Sequence, residues 1–523
     1  MKLRGADVLA RSLAAAGIRR VFALSGNHIM PVYDAALEAK LELLHVRHEG
    51  ATVHMADAWA RMTGTPGIAL VTGGPGHANA LGALYTSLQG ETPVVLLSGH
   101  APLAELGKGS FQEMAQATAA APFVKASWTA QSAAGLGEDV VRALRIAREG
   151  RPGPVHVSLP SDVLEDVVER GDEVAPPSSA FAIATVPMAD ASGRALLEDL
   201  RRASRPLVIA GPQLADREGR ALLARFEAAS GIPSFVMESP RGVNDPSLGL
   251  LAEVLARADA VFLLGKTVDF TLRFGTAFGA ACQVTPLGPG TGARATLGVL
   301  VALAEGGGKR ASGWLEEARG ALSWRPAAWQ GLASPPGGPV HPVEFGRAIQ
   351  SLLDRDPDAV FVSDGGEIGQ WAQACVAAPH RVINGVAGAI GPALPFAIAA
   401  KLARPGSTVV AVMGDGTFGF HMAEMDTAAR YGANIVVVVG NDATWNAEHQ
   451  IQLRSYGAAR THGLELRPAT RYDRVVEALG GHGEFVERAD QLAGALQRAA
   501  AAGKPACVNV VIERLPAPTY KRS

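Results

Sequence analysis

The sequence predicts an α/β protein built as three consecutive doubly wound parallel-sheet domains, and three observations carry that reading. Short apolar, β-branched runs alternate with segments of helical periodicity along the whole chain. The runs end in turns rich in Gly, Asn, His or Asp, the residue types that gather along one edge of a parallel sheet. Two stretches divide the 523 residues: 168–187, rich in Glu, Asp, Pro and Ser, and 327–338, rich in Pro and Gly. The expected domains are therefore 1–166, 188–326 and 339–523.

Composition bounds the class. With 48 basic and 50 acidic residues the formal charge is −2, so neither nucleic acid nor another polyelectrolyte is implied as a partner. Glycine is abundant (60) and aromatics are scarce (6%), which suits a tightly packed α/β enzyme. Cys282, Cys375 and Cys507 are scattered and form no metal-ligand spacing, which points to reduced thiols in a cytoplasmic compartment. The N-terminus, MKLRGADVLARSLAAAGI, reads as an amphipathic helix interrupted by charges, not a signal peptide. No apolar run approaches membrane-spanning length. A soluble, cytoplasmic protein is expected.

In the first segment, 6–16 reads as a helix and 20–24 as a strand leading to Ser25-Gly26-Asn27-His28. A strand at 41–46 leads to Arg47-His48-Glu49-Gly50 and a helix over 51–62. Strands follow at 68–72 and 94–98, the former running into Gly73-Gly74-Pro75-Gly76-His77-Ala78-Asn79. The run 151–160 is a turn followed by a last strand. The middle segment offers strands at 206–210, 234–237 and 260–264 and a helix over 217–230. No GxGxxG follows any of them, so a dinucleotide fingerprint is absent. Gly288-Pro289-Gly290-Thr291-Gly292 is either an ordinary loop or a close approach to phosphate.

The last segment opens with a helix and a strand at 359–363, and its final strand is 506–512. Its centre is a βαβ unit: strands at 408–413 and 435–439 around a helix marked by Phe420, Met425, Ala428 and Tyr431, with Gly432 as its stop. Asp415 then falls just past one strand and Asp442 just past the next. Two carboxylates at one sheet edge, the first flanked by Gly414 and Gly416, suit a hard cation holding a phosphate group. Aspartates in ordinary turns give the same spacing.

Together the motifs resemble the thiamine-diphosphate enzymes of the acetolactate synthase/pyruvate decarboxylase superfamily, over nearly the whole chain. Gly414-Asp415-Gly416, followed twenty-seven residues after Asp415 by Asp442, matches the diphosphate motif. Arg47-His48-Glu49 matches the activating glutamate. Gly73–Asn79, Phe111-Gln112-Glu113, 151–160 and 388–395 match further signatures in order.

The resemblance implies a pyrimidine-binding, a central and a diphosphate-binding domain. It implies Glu49 on the pyrimidine N1′, favouring the imino form whose 4′-nitrogen takes the thiazolium proton. It implies Ile390 as the apolar wedge under the bent cofactor and the Gly388 carbonyl as acceptor for the 4′-amino group. Mg²⁺ would be held by Asp415, Asp442 and the Thr444 carbonyl, with Gly416 and Thr417 offering N–H groups to phosphate. One residue departs from the pattern: the family has Asn where this chain has Asp442.

On the substrate side, His28 resembles the benzaldehyde lyase histidine and would relay protons. Gln112 matches the active-site glutamine of acetolactate synthase and benzaldehyde lyase. Trp445, Glu448 and His449 are expected near the reacting carbon, and the role of His77 is open. The stretch 443–453 lacks the acetolactate synthase Gly-Met-Val-x-Gln-Trp run. Lys266-Thr267-Val268-Asp269-Phe270 lacks the arginine of flavin-binding central domains, and Glu367-Ile368 replaces Gln-His, which weighs against FAD. The short tail after the last strand weighs against an acyl-CoA substrate.

The implied function is a carboligase or lyase acting on 2-oxo acids or 2-hydroxy ketones. The alternatives are a 2-oxo acid decarboxylase or a cofactor-binding inactive subunit. In the family the cofactor uses the first domain of one subunit and the last of another, so a homodimer at minimum, and a homotetramer by resemblance, is expected.

Overall fold

The computed structural model describes residues 2–169, 174–183, 185–308 and 313–520. The chain forms two compact units, Met1–Thr185 and Val186–Ser523.

The first unit carries strands β1 (Leu3–Arg4), β2 (Arg20–Ala23), β3 (Glu42–His45), β4 (Gly67–Val71), β5 (Val94–His100), β6 (Ser127–Thr129), β7 (Val155–Pro160) and β8 (Val167–Val168). Six of them form one parallel sheet in the order β3-β2-β4-β5-β7-β6. β4, β5 and β7 are buried along their whole length, as strands covered by helices on both faces must be. The N-terminal helix, Gly5–Ala15, lays Val8, Leu9 and Leu13 on Leu97 and Val157 beside the helix Leu136–Arg148. Each such side chain contributes about 1.5–3 kcal/mol on burial.

Part of the expected linker 168–187 lies outside the described residues, and the described part is largely exposed but anchored at its start and at Phe181. β8 pairs antiparallel with β1, Phe181 is buried, and the Arg148 guanidinium donates to its carbonyl at 2.7 Å.

The second unit holds two parallel sheets. The smaller contains β9 (Pro206–Ala210), β10 (Ser234–Val236), β11 (Ala260–Leu264) and β12 (Gln283–Pro286), in the order β10-β9-β11-β12. The larger contains β13 (Val360–Ser363), β14 (His380–Ile383), β15 (Val409–Gly414), β16 (Val436–Asn441), β17 (His482–Val486) and β18 (Ala506–Val511), in the order β14-β13-β15-β16-β18-β17. This is the connectivity of the first unit's six-stranded sheet, so the likeness of layout read between the two end segments holds at the level of strand order. In both sheets the order reverses between the first and third strands, at the edge where doubly wound folds bind ligands.

The helix expected between β15 and β16 is two helices, Asp415–His421 and Glu424–Arg430. Phe420, placed on the core face by its spacing, is 53% exposed, while Met425 and Ala428 are fully buried. Between the helices the backbone tightens to i→i+3 bonds (Met425 to Met422, Asp426 to Ala423). That break turns the Phe420 ring edge-on to Trp445 (centroids 6.2 Å) instead of into the core. Gly432, with φ 63, ends the second helix as expected.

Candidate active site

In the first unit the residues singled out from sequence converge on the carboxyl edge of the sheet. Glu49 opens the helix Glu49–Thr63, whose N-cap His48 accepts from Gly50 N–H through Nδ1 at 3.0 Å. The Asn79 side-chain amide donates to Glu49 Oε2 at 3.0 Å. Beyond β2, His28 is buried with Nδ1 3.2 Å from Thr72 Oγ1, and its ring stacks on Phe111 with centroids 6.1 Å apart. Burial, with His100 nearby, pushes His28 below its ordinary pKa, so it is neutral at pH 7.

Gln112, beside Phe111, has a left-handed backbone (φ 58) and a buried side-chain oxygen with no hydrogen-bond partner. Gly74 makes this approach possible. It has φ 57, and a Cβ there would stand 2.6 Å from the Gln112 carbonyl oxygen.

Beneath this loop runs a buried polar network that sequence reasoning did not find. The Gln116 amide oxygen accepts from Gly74 N–H (2.8 Å), and its nitrogen donates to the Gly99 carbonyl (3.1 Å), Ser158 Oγ (3.1 Å) and Ser98 Oγ (3.3 Å). Ser98 Oγ also lies 3.1 Å from His77 Nδ1 and 2.5 Å from His156 Nε2, and His156 Nδ1 is 2.7 Å from Ser127 Oγ. Burial pushes His77 down to about 4 and His156 well below its usual range. His77, open in the sequence, is thus a support under the glycine turn. Contacts across 17 to 58 residues leave no local signal.

In the second unit an open cleft of about 460 Å³ is lined by Gly366–Ile368, Ile390, Gly414–Thr417, Asp442 and Thr444–Glu448. Asp415 begins its helix directly after β15. Its Oδ1 accepts from Gly416 N–H at 3.0 Å, which occupies the donor expected to meet phosphate, and its buried Oδ2 has no hydrogen-bond partner. Thr417 Oγ1 donates to the Gly414 carbonyl at 3.0 Å. Asp442, just past β16, accepts from Thr444 N–H at 3.2 Å.

Burial raises Asp415 to about 6, and burial together with the neighbouring Asp415 raises Asp442 to about 7. A buried and a half-buried carboxylate that repel each other, the first with an orphaned oxygen, are a donor set that an oxygen-preferring divalent cation would relieve. Among the described residues no group of three or more His, Cys, Asp or Glu side chains surrounds such an ion. Further ligands would then be neutral oxygens of the main chain, of side chains such as Thr or Asn, of solvent or of a bound ligand, and the Thr444 carbonyl would be one of them.

Ile390 forms one wall of the cleft, and its Cγ2 leaves no room for a Cβ on Gly365 (2.8 Å). Gly388 has φ 67 and its N–H donates to the Gly385 carbonyl. Glu367 is buried, accepting from Arg241 at 3.2 Å and from Ala517 N–H at 2.6 Å. His449 Nδ1 is buried without a partner, and Glu448 lines the cleft.

Asp364, beyond β13, was not picked out. It is fully buried, accepts from Gly391 N–H at 2.9 Å, and is raised by burial to about 7. Its position after a strand, like that of Asp415, was the available signal.

Residues 3–119 match the family model of the thiamine pyrophosphate enzyme N-terminal TPP binding domain, and residues 364–510 match the C-terminal TPP binding domain. The chain is 34% identical to the acetolactate synthase large subunit IlvG of Mycobacterium tuberculosis, over 98% of this chain and 96% of that one. It is 30% identical to 2-hydroxyacyl-CoA lyase 2 of Bos taurus, over 98% and 90%, and 28% identical to 2-hydroxyacyl-CoA lyase of Oryza sativa, over 98% and 96%. The chain belongs to the thiamine pyrophosphate enzyme family, as an acetolactate synthase-like member that makes or breaks carbon–carbon bonds.

Proposed function

We propose that this enzyme is a Mg²⁺-dependent carboligase or lyase for 2-oxo acids or 2-hydroxy ketones, with Glu49, His28 and Gln112 as its working side chains. The observation that carries the reading is the cleft that Asp415, Asp442 and Ile390 line together, with Asp415 close enough to oppose ionisation of Asp442, a place for a cation and a diphosphate. When bound, thiamine diphosphate supplies the electron sink that lets a bond next to a carbonyl break or form.

The chain's own residues do the rest. Asn79 fixes one oxygen of Glu49 and leaves the other to share a proton with the pyrimidine N1′. Asp415, Asp442 and the Thr444 carbonyl hold Mg²⁺. Gly388 would offer its carbonyl to the cofactor, and Ile390, in the cleft wall, would pack against it. His28, neutral at pH 7, can give or take a proton at a substrate hydroxyl, while the unpartnered Gln112 oxygen can accept from the same group.

A homodimer is the minimum active assembly and a homotetramer the expected one. The three free thiols fit a reducing cytoplasm. No helix among the described residues is long and apolar enough to cross a membrane.

The test is product identification. The chain is supplied with Mg²⁺, thiamine diphosphate and pyruvate or benzoylformate, with and without an acceptor aldehyde. A 2-hydroxy ketone supports the proposal, whereas free aldehyde alone turns it into a decarboxylase. A 2-hydroxyacyl-CoA arm tests the chemistry named in the lyase relatives.

A further inference from the structure

The turn 442–444 is strained. Ala443 has φ 55, the left-handed region that side chains other than Gly, Asn and Asp seldom occupy. Neighbouring backbone holds part of it: Leu466 N–H donates to the Ala443 carbonyl at 2.7 Å and Trp445 N–H to the Leu464 carbonyl at 2.9 Å.

Side chains within the turn hold it too, Asn441 Oδ1 accepting from Ala443 N–H at 3.3 Å and Asp442 from Thr444 N–H, and a further restraint comes from the far end of the chain. Arg514, three residues past β18, donates from Nη2 to the Asp442 main-chain carbonyl at 2.9 Å. The segment carrying Arg514 is itself tied down. The Leu515 carbonyl accepts from the Asn446 side chain at 3.1 Å, and Ala517 N–H donates to Glu367 in the wall of the same cleft. Tyr520 donates to the Pro246 carbonyl at 3.1 Å and lies edge-on to Trp324 and Trp329, with centroids 5.6 and 5.9 Å away.

We infer that residues 514–520 brace the cation-binding turn, with Arg514 as the positioning residue that keeps Ala443 left-handed and so presents Asp442 and the Thr444 carbonyl together. The inference rests on the proposed cation role of those two groups. Arg514 acts through the peptide it holds, and its charge also favours the ionised forms of Asp415 and Asp442. Loss of Arg514 lets the 443 peptide relax toward an unstrained conformation and separates the two ligands. Glycine at 443 has no such preference to relax.

The experiment measures the Mg²⁺ concentration that half-saturates thiamine diphosphate binding, read by tryptophan fluorescence. The wild type is compared with Arg514→Gln, Ala443→Gly, the double variant and Tyr520→Ala, alongside melting curves in EDTA. Arg514→Gln is expected to raise the Mg²⁺ requirement about tenfold, the scale of one hydrogen bond from a charged donor, with its EDTA melting curve close to wild type. The double variant should return most of the loss, and Tyr520→Ala should reproduce part of it. An unmoved Mg²⁺ requirement in Arg514→Gln, or a double variant no better than the single, overturns the brace. A wild type whose binding ignores Mg²⁺ overturns the cation reading beneath it, a distinct result.

Discussion

The indole of Trp445 lies so close to Gly416 that a Cβ on that glycine would stand 2.8 Å from its ring. The diphosphate turn and the start of the helix Asn446–Tyr456 are therefore fitted to each other with no spare volume. Gly416→Ala should cost about 1–3 kcal/mol, the usual range for overpacking, and should weaken cofactor binding. Adding Trp445→Leu should return most of the stability. Urea unfolding of the three chains decides it, and a Gly416→Ala chain as stable as wild type rules the contact out as a constraint.

Glu49→Gln keeps the shape and the partner Asn79 but removes the charge that would share a proton with the cofactor. Turnover should fall by about 10²–10⁴, the range of general acid–base catalysis, with no change in the urea midpoint. Asn79→Ala should give a smaller loss of the same kind. An unaltered rate in Glu49→Gln would overturn the role assigned to it.

Asp442 adds a negative charge where the family pattern has a neutral amide, close enough to Asp415 for each carboxylate to oppose the other's ionisation. A divalent cation is held more firmly by two charges, and its removal leaves more repulsion behind. EDTA should strip thiamine diphosphate more sharply from wild type than from Asp442→Asn. Equal retention in equilibrium dialysis counts against this account.

Asp364 supplies a pH signature. Burial raises it to about 7, against a partial pull downward by the Gly391 and Ala393 N–H groups and Thr417. Between the ordinary carboxylate range near 4 and about 7, the native state therefore holds a proton that the unfolded chain has lost. Stability from this group falls as pH rises through that window and stays low above it. Asp364→Asn removes the titration, so its stability relative to wild type should grow from pH 4 to 7 and then level off. Parallel curves for the two chains would refute the burial argument.

The first unit carries the opposite slope. Its buried histidines resist charging, His54 down to about 3 and His77 to about 4, with burial the first cause in each. Below the ordinary histidine value near 6.5, the unfolded chain binds protons that the native unit refuses. Stability is lost as pH falls from there toward 4. His77→Gln should flatten part of this fall in acid titrations followed by circular dichroism, and an unchanged acid limb would exclude His77 as a contributor.

Strands and the turns that end them were legible because β-branched runs and glycine-rich punctuation are local signals. Nine of the twelve strands in the two six-stranded sheets follow those marks to within a residue or two at most ends, while β6, β14 and β17, short or interrupted by polar residues, left no such mark. The pair Asp415 and Asp442 was legible for the same reason, each lying one step past a strand. The broken helix at 422–423 was not, since Phe420 has helical spacing and leaves the core only where the helix breaks and its ring meets Trp445. The hydrogen bonds of Gln116, Asn79 and Arg514 were silent too. Their partners lie 17 to 72 residues away, and nothing local to a residue encodes where its hydrogen bond will end.

The Ser98 hydroxyl under the glycine turn has one proton to give, and that couples the two rings around it. The Gln116 amide already donates to its oxygen, so of His77 and His156 one ring must donate and the other accept. If Ser98 donates to His77 Nδ1, His156 donates from Nε2 and accepts from Ser127 through Nδ1; if Ser98 donates to His156 Nε2, His77 donates from Nδ1 and His156 Nδ1 donates to Ser127. The two histidines are locked to opposite roles at one oxygen, and reversing either ring requires reversing the other.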